Sequence, residues 1–127
     1  MLIFGHPWIK SAIFKKIFSS GALKELKDNE IALLEPLSDS VEIAQYCQEN
    51  DIVCAISVSS IKEAVLASAL GCNYLIAQPE NATEIQPIAQ EYLFDSKVIA
   101  LIKDDKDIKR MAGHSIDGVA FHEAITA

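Results

Sequence analysis

Long apolar runs are missing from this sequence: none approaches the roughly 18 residues a membrane span requires. The opening Met1-Leu2-Ile3-Phe4 has no basic residues ahead of it and no small-residue cleavage site behind a long apolar stretch, so no secretion signal is expected. Positive charge is scarce. Eleven Lys and Arg stand against 18 Asp and Glu, a net charge of −7. Phosphate neutralisation supplies most nucleic-acid affinity, so neither nucleic acid nor a membrane is an expected partner. Cysteines number three, none in a C-x-x-C pair. An odd, unpaired set suits a reducing compartment, and a cytoplasmic location is expected. Cys47, Cys54 and Cys72 read as small apolar core residues. There is no G-x-G-x-x-G, no P-loop and no serine in a nucleophile elbow. His6, His114 and His122 lie far apart without the spacing of metal ligands. No metal or cofactor is expected. No low-complexity segment or linker divides the chain, so one domain over residues 1–127 is expected.

What is present is a rhythm. Half of the residues are hydrophobic, as suits a sheet buried on both faces. Val53-Cys54-Ala55-Ile56 leads through a polar break into a helical stretch and on to Gly71-Cys72-Asn73-Tyr74-Leu75-Ile76. Val98-Ile99-Ala100-Leu101 leads the same way to Ser115-Ile116-Asp117-Gly118-Val119-Ala120. Strand–helix–strand units of this kind make a parallel sheet. Strands are expected at 31–34, 52–57, 73–77, 97–102 and 118–121, and helices at 40–49, 60–70, 83–92 and 105–112. Asp39 with Glu42 and Ser60 with Glu63 match the capping box. Asp104-Asp105 puts negative charge at the next helix start, and Gly71 and Gly113 suit left-handed helix ends. Pro87 would cost about 3 kcal/mol inside a helix, which argues for starting that helix near Thr83.

The first 30 residues form an N-terminal extension or edge. A short strand at 2–4, a turn at Gly5-His6-Pro7-Trp8, a strand at 12–18 and a short helix over about 20–27 are expected. Lysines beside apolar residues suit a protected edge strand. Trp8, Phe4, Phe14 and Phe18 make this the aromatic end, suited to anchoring a second subunit or to folding back as a lid. The five lysines of this segment, beside an acidic remainder, also suit docking on a second subunit.

Ser57-Val58-Ser59-Ser60-Ile61-Lys62-Glu63-Ala64, followed by Ala67 and Ala69-Leu70-Gly71-Cys72-Asn73-Tyr74-Leu75-Ile76, resembles phosphate-binding (βα)-barrel enzymes of the thiamine-phosphate-synthase-like kind. Ile116-Asp117-Gly118-Val119-Ala120-Phe121 resembles the start of another strand of such a barrel. The resemblance implies strand–helix–strand units with a ligand at the strand ends. A full barrel takes about 200 residues or more. Two α/β architectures therefore stand. The favoured one is a five-stranded, mainly parallel, flavodoxin-like sheet with helices on both faces. The other is an incomplete half-barrel whose open edge is covered by the N-terminal segment or by another subunit.

In either, the carboxyl ends of the strands share one rim. That rim would carry Glu35, Ser57 and Ser59, Gln78, Lys103, and His122 with Glu123. It offers a cation, carboxylates, hydroxyls and an imidazole. Helix N-terminal amides after Ser59 and Asp104 are candidate anion contacts. Leu34-Glu35-Pro36 and Ala77-Gln78-Pro79 lack the acids of a phosphoacceptor site. No residue is assigned a catalytic role outright. The function expected is that of a non-catalytic binding or regulatory domain forming a homodimer. The alternative is a small enzyme, or remnant of one, that binds a phosphorylated or carboxylated metabolite at the rim. There His122 would serve as acid or base and Lys103 as anion contact.

Overall fold

A computed structural model describes residues Met1–Ala127. Its strands are β1 (Leu2–Phe4), β2 (Ile13–Lys16), β3 (Glu30–Leu34), β4 (Cys54–Ser57), β5 (Tyr74–Ala77), β6 (Lys97–Ile102), β7 (Gly118–Phe121) and β8 (Ile125–Thr126). Helices α1 (Val41–Glu49), α2 (Ile61–Ala69), α3 (Pro79–Glu91) and α4 (Lys106–Gly113) connect β3 through β7 in turn. Short 3-10 turns lie at Ser20–Glu25, Leu37–Asp39 and His122–Ala124.

All eight strands join one parallel sheet in the order β1-β7-β6-β5-β4-β3-β2-β8. Eight strands, not five, correct the flavodoxin-like expectation. The N-terminal segment forms no hairpin, and it supplies two separate strands, one of them at an end of the strand order. β1 pairs with β7, while β2 lies between β3 and β8.

The sheet curls as a half-barrel does, and chain connectivity draws its ends together. β7 stands second in the order and β8 last, yet only His122–Ala124 separate them. Phe4 of β1 and Phe14 of β2 likewise sit at opposite ends of the order, with ring centroids 4.8 Å apart. A Cβ on Gly5 would come within 2.9 Å of Ala124 Cβ.

The packing shows why the sheet curls. One buried cluster holds outward strand residues such as Leu34, Ile56, Leu75, Val98 and Val119 together with Cys47, Ala64, Ala67, Ile85 and Met111 from the four helices. The other holds Phe4, Phe14, Leu33, Ala55, Ile76, Ile99, Ala120 and Ala124, with no residue of α1 to α4 among them. All four helices therefore cover one face. In a doubly wound sheet they would cover both. Here the opposite face buries itself by rolling inward, which hides about 25 cal/mol of stabilisation per Å² of apolar surface without a second helical layer.

The helix ends repeat closely. Asp51, Gly71, Leu93 and Ser115 each take a left-handed backbone after α1 to α4, with φ of 55°, 90°, 54° and 57°. The next residue's amide then reaches back five residues in every case: Ile52 to Cys47, Cys72 to Ala67, Phe94 to Ala89 and Ile116 to Met111. This is Schellman-type closure. Ser115, not the expected Gly113, takes the left-handed position after α4.

Two residues further on, Asn73 Oδ1 accepts from Cys54 N at 3.1 Å, and Asp117 Oδ2 accepts from Val98 N at 2.8 Å. The sequence separation is 19 in both, so the two units read from the sequence close by the same contact.

Helix starts differ from expectation in two places. Asp39 falls in a 3-10 turn and caps nothing; Ser40 precedes α1, and its hydroxyl donates to Pro36 O at 2.7 Å. α3 begins at Pro79 rather than Thr83, with proline in its first turn, where no amide is needed. Pro87 lies inside α3, whose buried residues are Ala82, Ile85, Gln86 and Ala89. No helix is long and apolar enough to cross a membrane.

Candidate functional site

Strand alternation builds the mouth of the curled sheet. Phe14, Leu33, Ala55, Ile76, Ile99 and Ala120 face inward from β2 to β7. Side chains two residues further along a strand point to the same side. That step gives Lys16, Glu35, Ser57, Gln78, Leu101 and His122. All six line one cleft of about 600 Å³ at the carboxyl ends of the strands. Leu33, Ile76, Leu101 and Ile125 give it an apolar floor, and Ser59, Glu63 and Asn81 extend its polar wall.

Five of the seven rim residues named from the sequence are brought together here: Glu35, Ser57, Ser59, Gln78 and His122. Lys103 and Glu123 are not among the lining residues. The same two-residue step explains both. Leu101 occupies the β6 position in the mouth, so Lys103 stands one step beyond it and is exposed. Glu123 falls one residue past His122, within a 3-10 turn, and is also exposed.

The cation of the cleft is Lys16, expected in an edge strand. Its Nζ lies 3.5 Å from Glu35 Oε1, with the two side chains 35% and 37% exposed. The signal for Lys16 was Phe14-Lys15-Lys16: once β2 belongs to the sheet, alternation sends Lys16 to the mouth. Asn81 had a weaker signal, its place in the first turn of α3.

Some of the expected anion-binding amides already have partners. Glu63 Oε1 accepts from Ser59 N at 2.8 Å and from Ser59 Oγ at 3.0 Å, while Glu63 N donates to Ser60 Oγ at 3.1 Å. The Ser60–Glu63 cap is thus present, with the carboxylate turned onto Ser59. At α4, Asp104 Oδ1 accepts from Lys106 N at 2.8 Å. His6, from the turn after β1, pairs with Asp105 at 3.3 Å instead of reaching the cleft.

Polar groups in the interior behave differently from those of the mouth. Buried Ser40, Gln86 and Ser96 each bond the backbone: Ser40 to Pro36 O, Gln86 to Asp117 N and Ser96 to Cys72 O. They are structural. The Ser57 hydroxyl, the Gln78 and Asn81 amides and the His122 ring lie open in the cleft.

The thiols lie elsewhere, in the helix–sheet layer. Cys47, Cys54 and Cys72 are free and buried, and they share hydrogen bonds. The bond with Cys54, together with burial, pushes the Cys47 thiol up. At Cys54 the bond with Cys47 acts downward. The bond with Cys72 and burial outweigh it, so this thiol is pushed up to about 12. The bond with Cys54 holds Cys72 below its ordinary value, against burial. No group of three His, Cys, Asp or Glu side chains is placed to hold a metal ion.

Neither a protein-family model nor a curated protein sequence matches the chain.

Proposed function

We propose that this protein is a binding domain without chemistry of its own, which holds a small carboxylate-bearing metabolite in the cleft at the carboxyl ends of β2 to β7. The observation that carries this reading is the convergence of six successive strand ends on one mouth, where polar side chains stand open above an apolar floor. A cleft of about 600 Å³ lies within the roughly 300–1,000 Å³ of small-molecule sites. The same geometry supports a reading without chemistry. Lys16 is held by Glu35, and neither is hydrogen-bonded to His122 as a catalytic dyad would require.

The test is amide chemical-shift mapping on the isotopically labelled protein during titration with pools of carboxylated and phosphorylated metabolites. Shifts centred on Lys16, Ser57, Gln78 and His122, weakened in Gln78→Leu, are the expected result. Binding that maps to the helical face, or that Gln78→Leu leaves unchanged, overturns the assignment.

The aromatic N-terminal segment favours a homodimer as a second element of this reading. Phe4 and Phe14 turn into the inner core, while Trp8 is 88% and Phe18 72% exposed. Large exposed aromatic rings are typical interface anchors. Light scattering should give twice the chain mass for the wild type and a smaller mass for Trp8→Ala; an unchanged dimer in that variant would place the interface elsewhere.

A further inference from the structure

Resting on the cleft as the ligand site, the geometry points to a class of ligand: a zwitterion with ammonium and carboxylate on one carbon and an aliphatic tail, as in an aliphatic α-amino acid. The argument is one of charge. Lys16 is the only Lys or Arg lining the cleft, and Glu35 already faces it at 3.5 Å. The remaining carboxylate, Glu63, is committed to Ser59. A phosphate dianion would meet no unpaired Lys or Arg. A simple carboxylate would have to displace Glu35 from Lys16 and then lie beside it, like charge against like.

A zwitterion avoids both penalties. Its carboxylate takes Lys16, its ammonium takes Glu35, and each protein charge keeps a partner of opposite sign. Opening the existing pair is cheap, because an ion pair this exposed is well screened by solvent. Each half of the ligand then gains a charge-assisted hydrogen bond. Ser57, Gln78 and Asn81 are neutral hydrogen-bonding groups, suited to the carboxylate oxygens without adding charge. Leu33, Ile76, Leu101 and Ile125 form the floor that an aliphatic tail would cover.

The test is calorimetric titration of the full chain with L-leucine, with 4-methylpentanoate, which lacks the ammonium, with 3-methylbutylamine, which lacks the carboxylate, and with inorganic phosphate. L-Leucine is expected to bind at least ten-fold more tightly than any of the others. Glu35→Gln should erase the preference over 4-methylpentanoate, and Lys16→Met the preference over 3-methylbutylamine. Circular dichroism and melting curves confirm that both variants fold. If 4-methylpentanoate or phosphate binds as well as L-leucine, with shifts at Ser57 and Gln78, the zwitterion inference fails and the cleft assignment stands. If the probes that bind shift only residues outside the cleft, both fail. Absence of binding by every probe at millimolar concentration overturns the zwitterion inference alone.

Discussion

Replacing Phe14 by Ala tests whether the sheet truly buries its inner face against itself. Phe14 is 0% exposed, and its ring packs on Phe4 at 4.8 Å and on Tyr74 at 5.9 Å between centroids. A phenylalanine of this kind hides about 150–200 Å², or about 4–5 kcal/mol at 25 cal/mol per Å². Measured Phe→Ala losses in cores run about 3–5 kcal/mol. Phe4 and Tyr74 can lean into the vacated space, which places the expectation near the lower bound, about 3 kcal/mol. The unfolding entropy near the melting point is about 2.1 cal/mol/K per residue, or about 0.27 kcal/mol/K for 127 residues. The melting temperature should then fall by about 11 °C in differential scanning calorimetry.

Phe18→Ala is the control. In a single strand over 12–18 the two rings would share a face and cost alike. In the structure Phe18 lies beyond β2 and is exposed, so its loss should stay within about 0.5 kcal/mol, or about 2 °C. A fall of less than about 4 °C for Phe14→Ala, or equal falls for the two variants, would refute the self-buried inner face. Should Phe14→Ala fail to fold, Phe14→Leu carries the comparison, with a smaller loss in the same direction.

Two further predictions concern packing and the thiols. At Gly118 an added Cβ would meet Ile99 Cδ1 and Leu2 Cβ at 2.8 Å and Leu2 O at 2.9 Å. Gly118→Ala should lower stability by about 1–3 kcal/mol in urea titration, while Gly21→Ala, where a Cβ meets nothing within 4 Å, should cost far less; equal effects would contradict the β1–β7 contact. The folded chain holds the Cys47 and Cys54 protons more tightly than the unfolded chain does, so stability from these thiols is present below about pH 9 and lost as pH rises toward 12, with Cys72 opposing in part. The urea midpoint should therefore decline above pH 9, less steeply in Cys54→Ala, and a midpoint that rises there would overturn the assignment.

Much of the βα repeat was legible, because short parallel units state their own periods. The β6 and β7 bounds, the Ser60 cap of α2 and the left-handed Gly71 all follow from local chemistry. The rim residues Glu35, Ser57 and Gln78 were legible for the same reason: each stands at or just past the end of an apolar strand. What escaped was nonlocal. Ser115 takes the left-handed backbone two residues after Gly113, because the closing bond from Ile116 to Met111 selects the position, not glycine's tolerance alone. Asp39 lost its capping role to a 3-10 turn that carries the chain from β3 to α1.

By itself, then, the sequence determined the units: apolar strands, amphipathic helices and polar strand ends, each set by residues within a turn or two of one another. Only the tertiary structure decided what those units enclose. Strands apolar on both faces are equally compatible with two helical layers or with a sheet rolled on itself, since burial rewards either. Here the helices all took one face, the other rolled inward around Phe4, Phe14 and Tyr74, and the N-terminal strands entered the sheet. That choice exchanged Lys103 for Lys16 in the mouth and set it against Glu35. No local pattern contains that pairing, because it joins the ends of two strands, β2 and β3, that become neighbours only when the N-terminal segment pairs into the sheet.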